Sequence, residues 1–548
     1  MAQWHPRSDA VHWYMAELSS QVVAKSGISS DRHHLGKLIL QSFKDVPDFI
    51  LQIDGATGES ETFSSALTRS VQCATAFRKI GLKYGDVIVL MAPNHIHLTI
   101  PMYAAFYLGV AVAGISMKLS VYELRHSFSY NKPNMVFCQS ERVKDVRTVI
   151  QELNLDTQVV TFDKSDECLS FSELLDKGSD ATVDDFKVTD FDSAETLALL
   201  VATSGTTGLS KSAAVTHKNF AVSVPYMWIT FNKFPTPTRL STLFSPIQWY
   251  TALFQFVFSP ILKHTRLQSS APITQEHAYY LINKYKPSFG VMSPNMLATF
   301  IKDDCNKCDF SSFETVMIGG SFVRPDLIEK MRAISPKTQF LVGFGISEIS
   351  AIAFNFDGTL PSSLGKPMQN LEHRLVNPET LKDITEPNVP GELWLRGPGV
   401  FKGYYNNPKV TEQVLLKDGW FRTGDVMYRD EKSNFYFVER LKLLLKYRSH
   451  QISPLEIENV IAKHPGVFEV GVAGILHEEH GDLPVALIVP RENYKITAKE
   501  IKDLVKGSLS DPKHLRGGVI FVNELPLTPS SKLDRKKLAD MALSMEKE

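Results

Sequence analysis

Residues 203–211 read Thr203-Ser204-Gly205-Thr206-Thr207-Gly208-Leu209-Ser210-Lys211, directly after an apolar run at 197–201. A loop of hydroxyl and glycine residues can wrap backbone N–H and side-chain O–H donors around phosphate oxygens, and Lys211 adds a positive charge. The stretch approaches the pattern G-x-x-x-x-G-K-[ST] through Gly205, Lys211 and Ser212, but Ser210 stands where the second glycine belongs. That glycine lets the backbone close in on phosphates, so a phosphate loop of another kind fits better.

Four further stretches carry chemistry. Gly343-Phe344-Gly345-Ile346-Ser347-Glu348 follows an apolar run at 340–342. It sets a ring that can stack on a base beside a hydroxyl for phosphate and a carboxylate for Mg²⁺. Gly419-Trp-Phe-Arg-Thr-Gly-Asp425 ends in a carboxylate able to accept two hydrogen bonds from a cis-diol. Arg440, Lys442 and Lys446, read alone, form a basic helix face. Lys532, within 526–535, suits a site where charge develops on oxygens.

Together these motifs resemble, in order, those of the adenylate-forming superfamily of acyl-CoA synthetases, 4-coumarate–CoA ligases and beetle luciferases. Thr203 to Gly208 and Lys211 match its phosphate loop, and Thr216-His217 matches the T-H that follows. Gly319-Gly320, Gly365-Lys-Pro367, Gly391-Glu-Leu and Gly403-Tyr-Tyr405 match shorter segments, so the likeness spans about residues 35–540. The chain departs from the pattern at Ser210, Ser212, Phe344, Glu439, Ser449 and Ser531.

The resemblance implies roles. Thr203, Ser204, Gly205, Thr206, Thr207, Gly208, Gly320, Phe344, Gly345 and Ser347 would hold ATP, Asp425 and Arg440 the ribose, and Glu348 Mg²⁺. Lys211 and Lys532 would act in adenylation, and the Lys446 region in thioester formation with CoA. Gln248, Trp249 and Tyr250 would line the acid pocket. This apolar, aromatic gate suits a hydrophobic carboxylic acid such as a medium- or long-chain fatty acid. Ser223 and Leu341 stand where beetle luciferases carry arginines. The implied activity is an ATP-dependent acid–CoA ligase working through an acyl-AMP. A luciferase-type adenylating monooxygenase and a catalytically impaired binding protein of the same fold stay open as alternatives.

The elements that must position these residues alternate. Helical spacing covers 63–80 and 99–112, with strands at 86–92 and 135–138. This βαβ alternation predicts an α/β class. The expected architecture is a large N-terminal AMP-binding domain of βαβ layers with a β-barrel-like subdomain, residues 1–438. A small mobile α+β domain, residues 439–548, follows. Antiparallel strands are expected at 391–396 and 434–438. Helices are expected at 455–462 and 498–509, and strands at 467–476 and 483–489.

At 548 residues the chain is too long for one core. Lys+Arg 59 against Asp+Glu 60 leaves a net charge of −1, which argues against nucleic-acid or anionic-membrane binding. The expected partners are small molecules only. Five scattered cysteines suggest a reducing compartment without a disulfide framework. Cys305-x-x-Cys308 lacks the second ligand pair of a zinc site, and His477-x-x-His480 has the wrong spacing for H-E-x-x-H. No apolar run of about 18 residues predicts a membrane span. The chain ends Met545-Glu-Lys-Glu548 rather than Ser-Lys-Leu. The expected location is intracellular, with the cytoplasm favoured and the peroxisome left open by the family.

Overall fold

The computed structural model describes residues 6–203, 210–223, 225–226, 240–301, 305–320, 323, 325–355, 360, 363–447, 450–477, 480–492, 494–528 and 532–547, a few of them by backbone alone. The chain forms two compact units, one of residues 1–372 with 396–421, the other of residues 373–395 with 422–548.

The larger unit is built on two seven-stranded sheets. The first runs, side by side, Leu169–Ser170, Gln158–Thr161, Met135–Cys138, Val87–Met91, Ala111–Gly114, Leu197–Thr203 and Lys211–Thr216. All its pairings are parallel except the last. Val-Ile-Val-Leu-Met at 87–91 is buried at every position, as expected of a parallel strand covered on both faces. Helices Phe63–Lys79 and Ile100–Leu108 pack together beside it. The helical spacing at 99–112 therefore overruns. Gly109 takes the left-handed conformation (φ +70°), its N–H bonds to Ala105, and the chain restarts as the strand Ala111–Gly114.

The second sheet runs Gln339–Gly343, Thr315–Gly319, Phe289–Met292, Leu240–Thr242, Thr265–Gln268, Ile50–Asp54 and Ser60–Thr62. Its core joins Phe244, Ile282, Met292, Phe313, Ile318 and Phe340. A ligand-carrying turn can follow the C-terminal ends of such parallel strands, and two of the motifs do so, at 319–320 and 343–348.

In the smaller unit, strands Phe435–Arg440, Phe421–Arg429, Gly391–Arg396 and Glu372–Val376 lie next to one another in that order. A second sheet pairs Val467–His477 with Gly481–Pro490 antiparallel, and Gly518–Phe521 joins the latter in parallel. Helices Pro454–Ile461, Ala498–Ser508 and Arg535–Ser544 complete this α+β arrangement. Ile457, Ile461, Val472, Ile488, Ile501 and Val519 form its main core. The strands and helices expected between 391 and 509 are all present, within two residues at each end.

Candidate active site

Strands Leu197–Thr203 and Lys211–Thr216 form an antiparallel hairpin whose last rung pairs Thr203 with Lys211. The phosphate-loop residues Ser204, Gly205, Thr206, Thr207 and Gly208 lie outside the described residues, but the rung fixes where that loop starts and ends. Ser210 and Ser212, two of the serines that depart from the family pattern, are anchored to the helix Val121–Asn131. His126 Nε2 donates to the Ser210 carbonyl (3.0 Å), the Ser210 and Tyr130 hydroxyls share a hydrogen bond (3.2 Å), and Ser212 Oγ donates to Asn131 Oδ1 (2.9 Å). Ser212 is buried, so its hydroxyl needs this partner.

Residues 402–405 run along the outer edge of Lys211–Thr216. Lys402 N–H donates to Ala214 O (2.9 Å), Ala214 N–H to Gly403 O (2.9 Å) and Tyr405 N–H to Ser212 O (2.8 Å). This pairing places the Tyr404 ring 5.0 Å from Lys211 Nζ. The Tyr404 hydroxyl donates to Glu348 Oε1 at 2.9 Å. Tyr404 thus joins the phosphate-loop lysine to the carboxylate expected to hold the metal. The 403–405 motif contained it, but only the pairing of two segments 190 residues apart reveals its contacts.

Glu348 is 9% exposed and sits on the one-turn helix Ser347–Ile349. Its carbonyl accepts Phe401 N–H at 2.8 Å. At Gly345 a Cβ would come within 2.7 Å of Ala351 O, so a side chain there would break the turn presenting Ser347 and Glu348. Gly320 has φ +93°, again a glycine conformation. Phe344 is half-buried, with its ring centroid 5.7 Å from Phe354. Among the described residues no cluster of three or more His, Cys, Asp or Glu could hold a metal. A lone buried carboxylate still fits Mg²⁺, which is commonly bound through one or two carboxylates plus substrate phosphates.

Gln248 and Trp249 form the turn before the helix Tyr250–Leu262, whose residues from Ala252 onward are buried. The Tyr250 hydroxyl is buried with no hydrogen-bond partner among the described residues, and burial pushes its pKa up. Ser223 Oγ bonds back to Asn219 O (3.1 Å), and Leu341 is buried in its strand.

In the smaller unit, Asp425 and Arg440 are cross-strand partners. Their side chains meet with Arg440 Nε 2.7 Å from Asp425 Oδ1, and Asp425 is 1% exposed. The approach to Asp425 is a fixed turn. Thr423 Oγ1 bonds Leu393 O (2.7 Å), Asp425 N–H bonds Thr423 Oγ1 (3.0 Å), and Gly424 N–H bonds Glu392 Oε1 (3.2 Å). A carboxylate can accept several hydrogen bonds, so Asp425 beside Arg440 fits a ribose diol.

The neighbouring Glu439 is also buried, and burial raises its pKa. It accepts the N–H groups of Arg440 (2.9 Å) and Leu455 (3.3 Å) and lies 3.9 Å from Arg535. Arg440 ends a strand and is followed by a one-turn helix at Leu441–Leu443, so no basic helix face forms here. Lys446 lies on the strand Leu445–Tyr447, its backbone paired with Gln451. Lys532 is exposed and its backbone bonds to Thr528: Thr528 N–H donates to Lys532 O (2.7 Å), and Lys532 N–H to Thr528 Oγ1 (3.2 Å). The side chain of Lys446, and Ser449 and Ser531, lie outside the described residues. His477 and His480 stack with ring centroids 4.6 Å apart, and Cys305 and Cys308 carry no disulfide.

A hairpin bracketing the loop expected to bind phosphate, a carboxylate turn after a parallel strand and, in the smaller unit, a buried aspartate on an antiparallel ladder are the features on which the expected chemistry would rest. The chain belongs to the AMP-binding enzyme family: residues 41–405 match that family and residues 456–532 its C-terminal domain. It is thus a member of the adenylate-forming superfamily. It is 31% identical over 519 residues to luciferin 4-monooxygenase of Photuris pensylvanica, covering 92% of this chain and 93% of that protein. To 4-coumarate–CoA ligase-like 9 of Arabidopsis thaliana it is 27% identical, covering 91% and 88% of the two chains. Its fold matches that of ATP-bound MatB from Rhodopseudomonas palustris with a TM-score of 0.82, at 21% identity over 92% of this chain and 99% of that one. Among the described residues no helix is long and apolar enough to cross a membrane.

Proposed function

We propose that this chain is an AMP-forming acid–CoA ligase acting on a hydrophobic carboxylic acid, with a medium- or long-chain fatty acid the best-fitting class. The observation that carries the adenylation step is the Lys211–Tyr404–Glu348 contact at the base of the phosphate hairpin. A carboxylate is anionic and a poor electrophile. Attack of its oxygen on the α-phosphorus of ATP gives a mixed anhydride and expels pyrophosphate, with Lys211 and the 203–208 loop taking up the negative charge. When bound at Glu348, Mg²⁺ neutralises phosphate charge. Asp425 and Arg440 hold the ribose, and Phe344 stacks on the base. The CoA thiolate then attacks the acyl carbonyl and releases AMP.

We assign the change of step to residues 439–548 as a mobile domain, with Lys532 serving adenylation and the Lys446 region serving thioester formation. The exposure of Lys532 suits a residue that comes and goes. Lys532→Ala should lower acid-dependent ATP–pyrophosphate exchange by at least ~100-fold, the scale of losing one transition-state contact. Thioester formation from preformed acyl-AMP should stay within several-fold. Equal loss of both half-reactions would remove Lys532 from this role.

The similarity to a luciferin 4-monooxygenase keeps an oxygen-dependent second step as the rival reading. Light on mixing the protein with luciferin, ATP and O₂ in the absence of CoA would establish it. CoA consumption with a panel of fatty acids favours the ligase. Ser223 and Leu341, in place of the arginines of beetle luciferases, support the ligase as well.

A further inference from the structure

No step above calls on Glu392, the middle residue of Gly391-Glu392-Leu393. A carboxylate inside a strand is costly to bury unless its oxygens find donors, yet Glu392 is 2% exposed on the strand Gly391–Arg396. Its two oxygens have different partners. Oε2 accepts the Trp394 indole N–H at 2.8 Å and meets Arg422 through Nε (3.3 Å) and Nη2 (3.2 Å). Glu392 and Trp394 are two residues apart, so they share one face of the strand, and Trp394 is itself buried. Arg422 comes from the neighbouring strand and lies 5.3 Å from the Trp394 ring. Indole and guanidinium together fix the orientation of the carboxylate.

Oε1 accepts the Gly424 N–H at 3.2 Å. Gly424 has φ +71°, a left-handed conformation within the strand Phe421–Arg429, directly before Asp425. A residue in that conformation breaks the regular ladder, so its N–H needs an acceptor from elsewhere, and Glu392 is that acceptor. Leu393, the next residue, takes the Thr423 hydroxyl on its carbonyl (2.7 Å), and Thr423 Oγ1 accepts the Asp425 N–H (3.0 Å). One dipeptide, Glu392-Leu393, thus grips residues 423–425 at successive positions. The side chain that leaves this turn is the Asp425 carboxylate, 1% exposed and 2.7 Å from Arg440 Nε.

We propose that Glu392 is a positioning residue for the nucleotide: through the Gly424 N–H it aims the Asp425 carboxylate, and so sets how strongly the protein prefers a nucleotide that carries its ribose hydroxyls. The proposal rests on the reading that Asp425 takes the ribose diol. Hydrogen bonds are directional, so a carboxylate that accepts two hydroxyls at once has to be held in place by its surroundings.

Isothermal calorimetry on the full chain tests it, with AMP and 2′,3′-dideoxy-AMP as probes. The wild type should bind AMP at least ~10-fold more tightly than the dideoxy nucleotide, the scale of a hydrogen bond to a charged group. Asp425→Ala should erase that preference, which checks the diol reading by itself. Glu392→Ala should cut the preference to about twofold by weakening AMP, while the dideoxy nucleotide binds as it does to the wild type. Glu392→Gln has nearly the same volume but only one oxygen, for Gly424 or for Trp394 and Arg422 and not for both, so its preference should fall in between. Should the alanine variant fail to fold, the glutamine variant decides alone: a reduced preference supports the proposal and an intact one overturns it. Full preference in the Glu392 variants beside a lost one in Asp425→Ala overturns the proposal and leaves the diol reading standing. Equal weakening of both nucleotides in the Glu392 variants marks a general tie of the fold and overturns it too. A preference untouched by Asp425→Ala, or absent from the wild type, removes the diol reading and the proposal with it.

Discussion

Tyr404 touches two of the groups expected to meet the phosphate chain, and does so with different parts of one side chain. Its ring faces Lys211 and its hydroxyl occupies one oxygen of Glu348. That bond holds the carboxylate in one orientation and leaves its second oxygen for the Mg²⁺ expected there. Hydrogen bonds to charged groups are worth about 1.5–3 kcal/mol. Tyr404→Phe, which keeps the ring, should raise the Mg²⁺ concentration for half-maximal ATP–pyrophosphate exchange by about tenfold while leaving the melting temperature nearly unchanged. An unaltered Mg²⁺ dependence would separate Tyr404 from the metal. The residues around it were legible in the sequence because each motif is local: Glu348 follows its strand by five residues and Lys211 follows Thr203 by one loop. Tyr404 was legible only as part of a motif, because its work depends on a strand edge formed by distant sequence.

At the scale of elements, the hairpin leading into and out of the phosphate loop depends on the helix Val121–Asn131. In the sequence, Ser210 reads as a lost glycine and both Ser210 and Ser212 as departures from the family pattern. In the fold they are polar fasteners to Tyr130, His126 and Asn131. Ser212→Ala should cost about 1–3 kcal/mol in urea melts by removing the donor to the buried Asn131 Oδ1. A double-mutant cycle with Asn131→Ala should show coupling of at least ~0.5 kcal/mol, and strict additivity would deny the contact.

The same scale holds the Arg535 cluster. Arg535 pairs with Glu458 and approaches Glu439, both carboxylates being buried. Removing one partner of a buried ion pair is expected to destabilise by about 3–5 kcal/mol. In Arg535→Ala the Glu439 carboxyl sits further above its unfolded pKa, because burial already raises it and the compensating charge is gone. A raised carboxyl stabilises the fold at low pH and loses that contribution as pH rises. The deficit of this variant should therefore shrink when melts are compared at pH 5 against pH 8. A deficit independent of pH would place the loss in packing alone.

For the whole molecule, the α/β alternation and the elements of the C-terminal half were readable because period and turn residues agree there. The overrun at 99–112 was not, since apolar residues suit a buried helix and a buried parallel strand equally well, and only Gly109 separates them. Also invisible beforehand was a set of buried histidines that brace the large unit. His34 is fully buried, bonded to Thr189 O at 3.1 Å and stacked 4.0 Å from Phe191. Burial lowers its pKa to about 4, and His95 and His217 are lowered as well. A lowered histidine gives stability that is complete above its unfolded pKa and is lost as pH falls toward the folded value. Stability should decline from about pH 6.5 downward, with His34 alone worth on the order of 3 kcal/mol by pH 4. Urea midpoints between pH 6.5 and 5 would show it above the carboxylate range, and His34→Gln should flatten the slope. A level profile in that window would mean these rings accept protons without unfolding.

Glu439, finally, has a mechanical meaning. Its carboxylate is gripped by the N–H groups of Arg440 and Leu455, with Arg535 alongside, so it ties the end of one strand to the head of the next helix. Were residues 439–548 to rotate as proposed, a pivot at residue 439 could not turn like a loose swivel. It would have to release a catch, and the strength of that catch would set a dwell time on each side of the rotation. On that reading Glu439 is a matter of timing: it would determine how long the protein waits between making an adenylate and spending it.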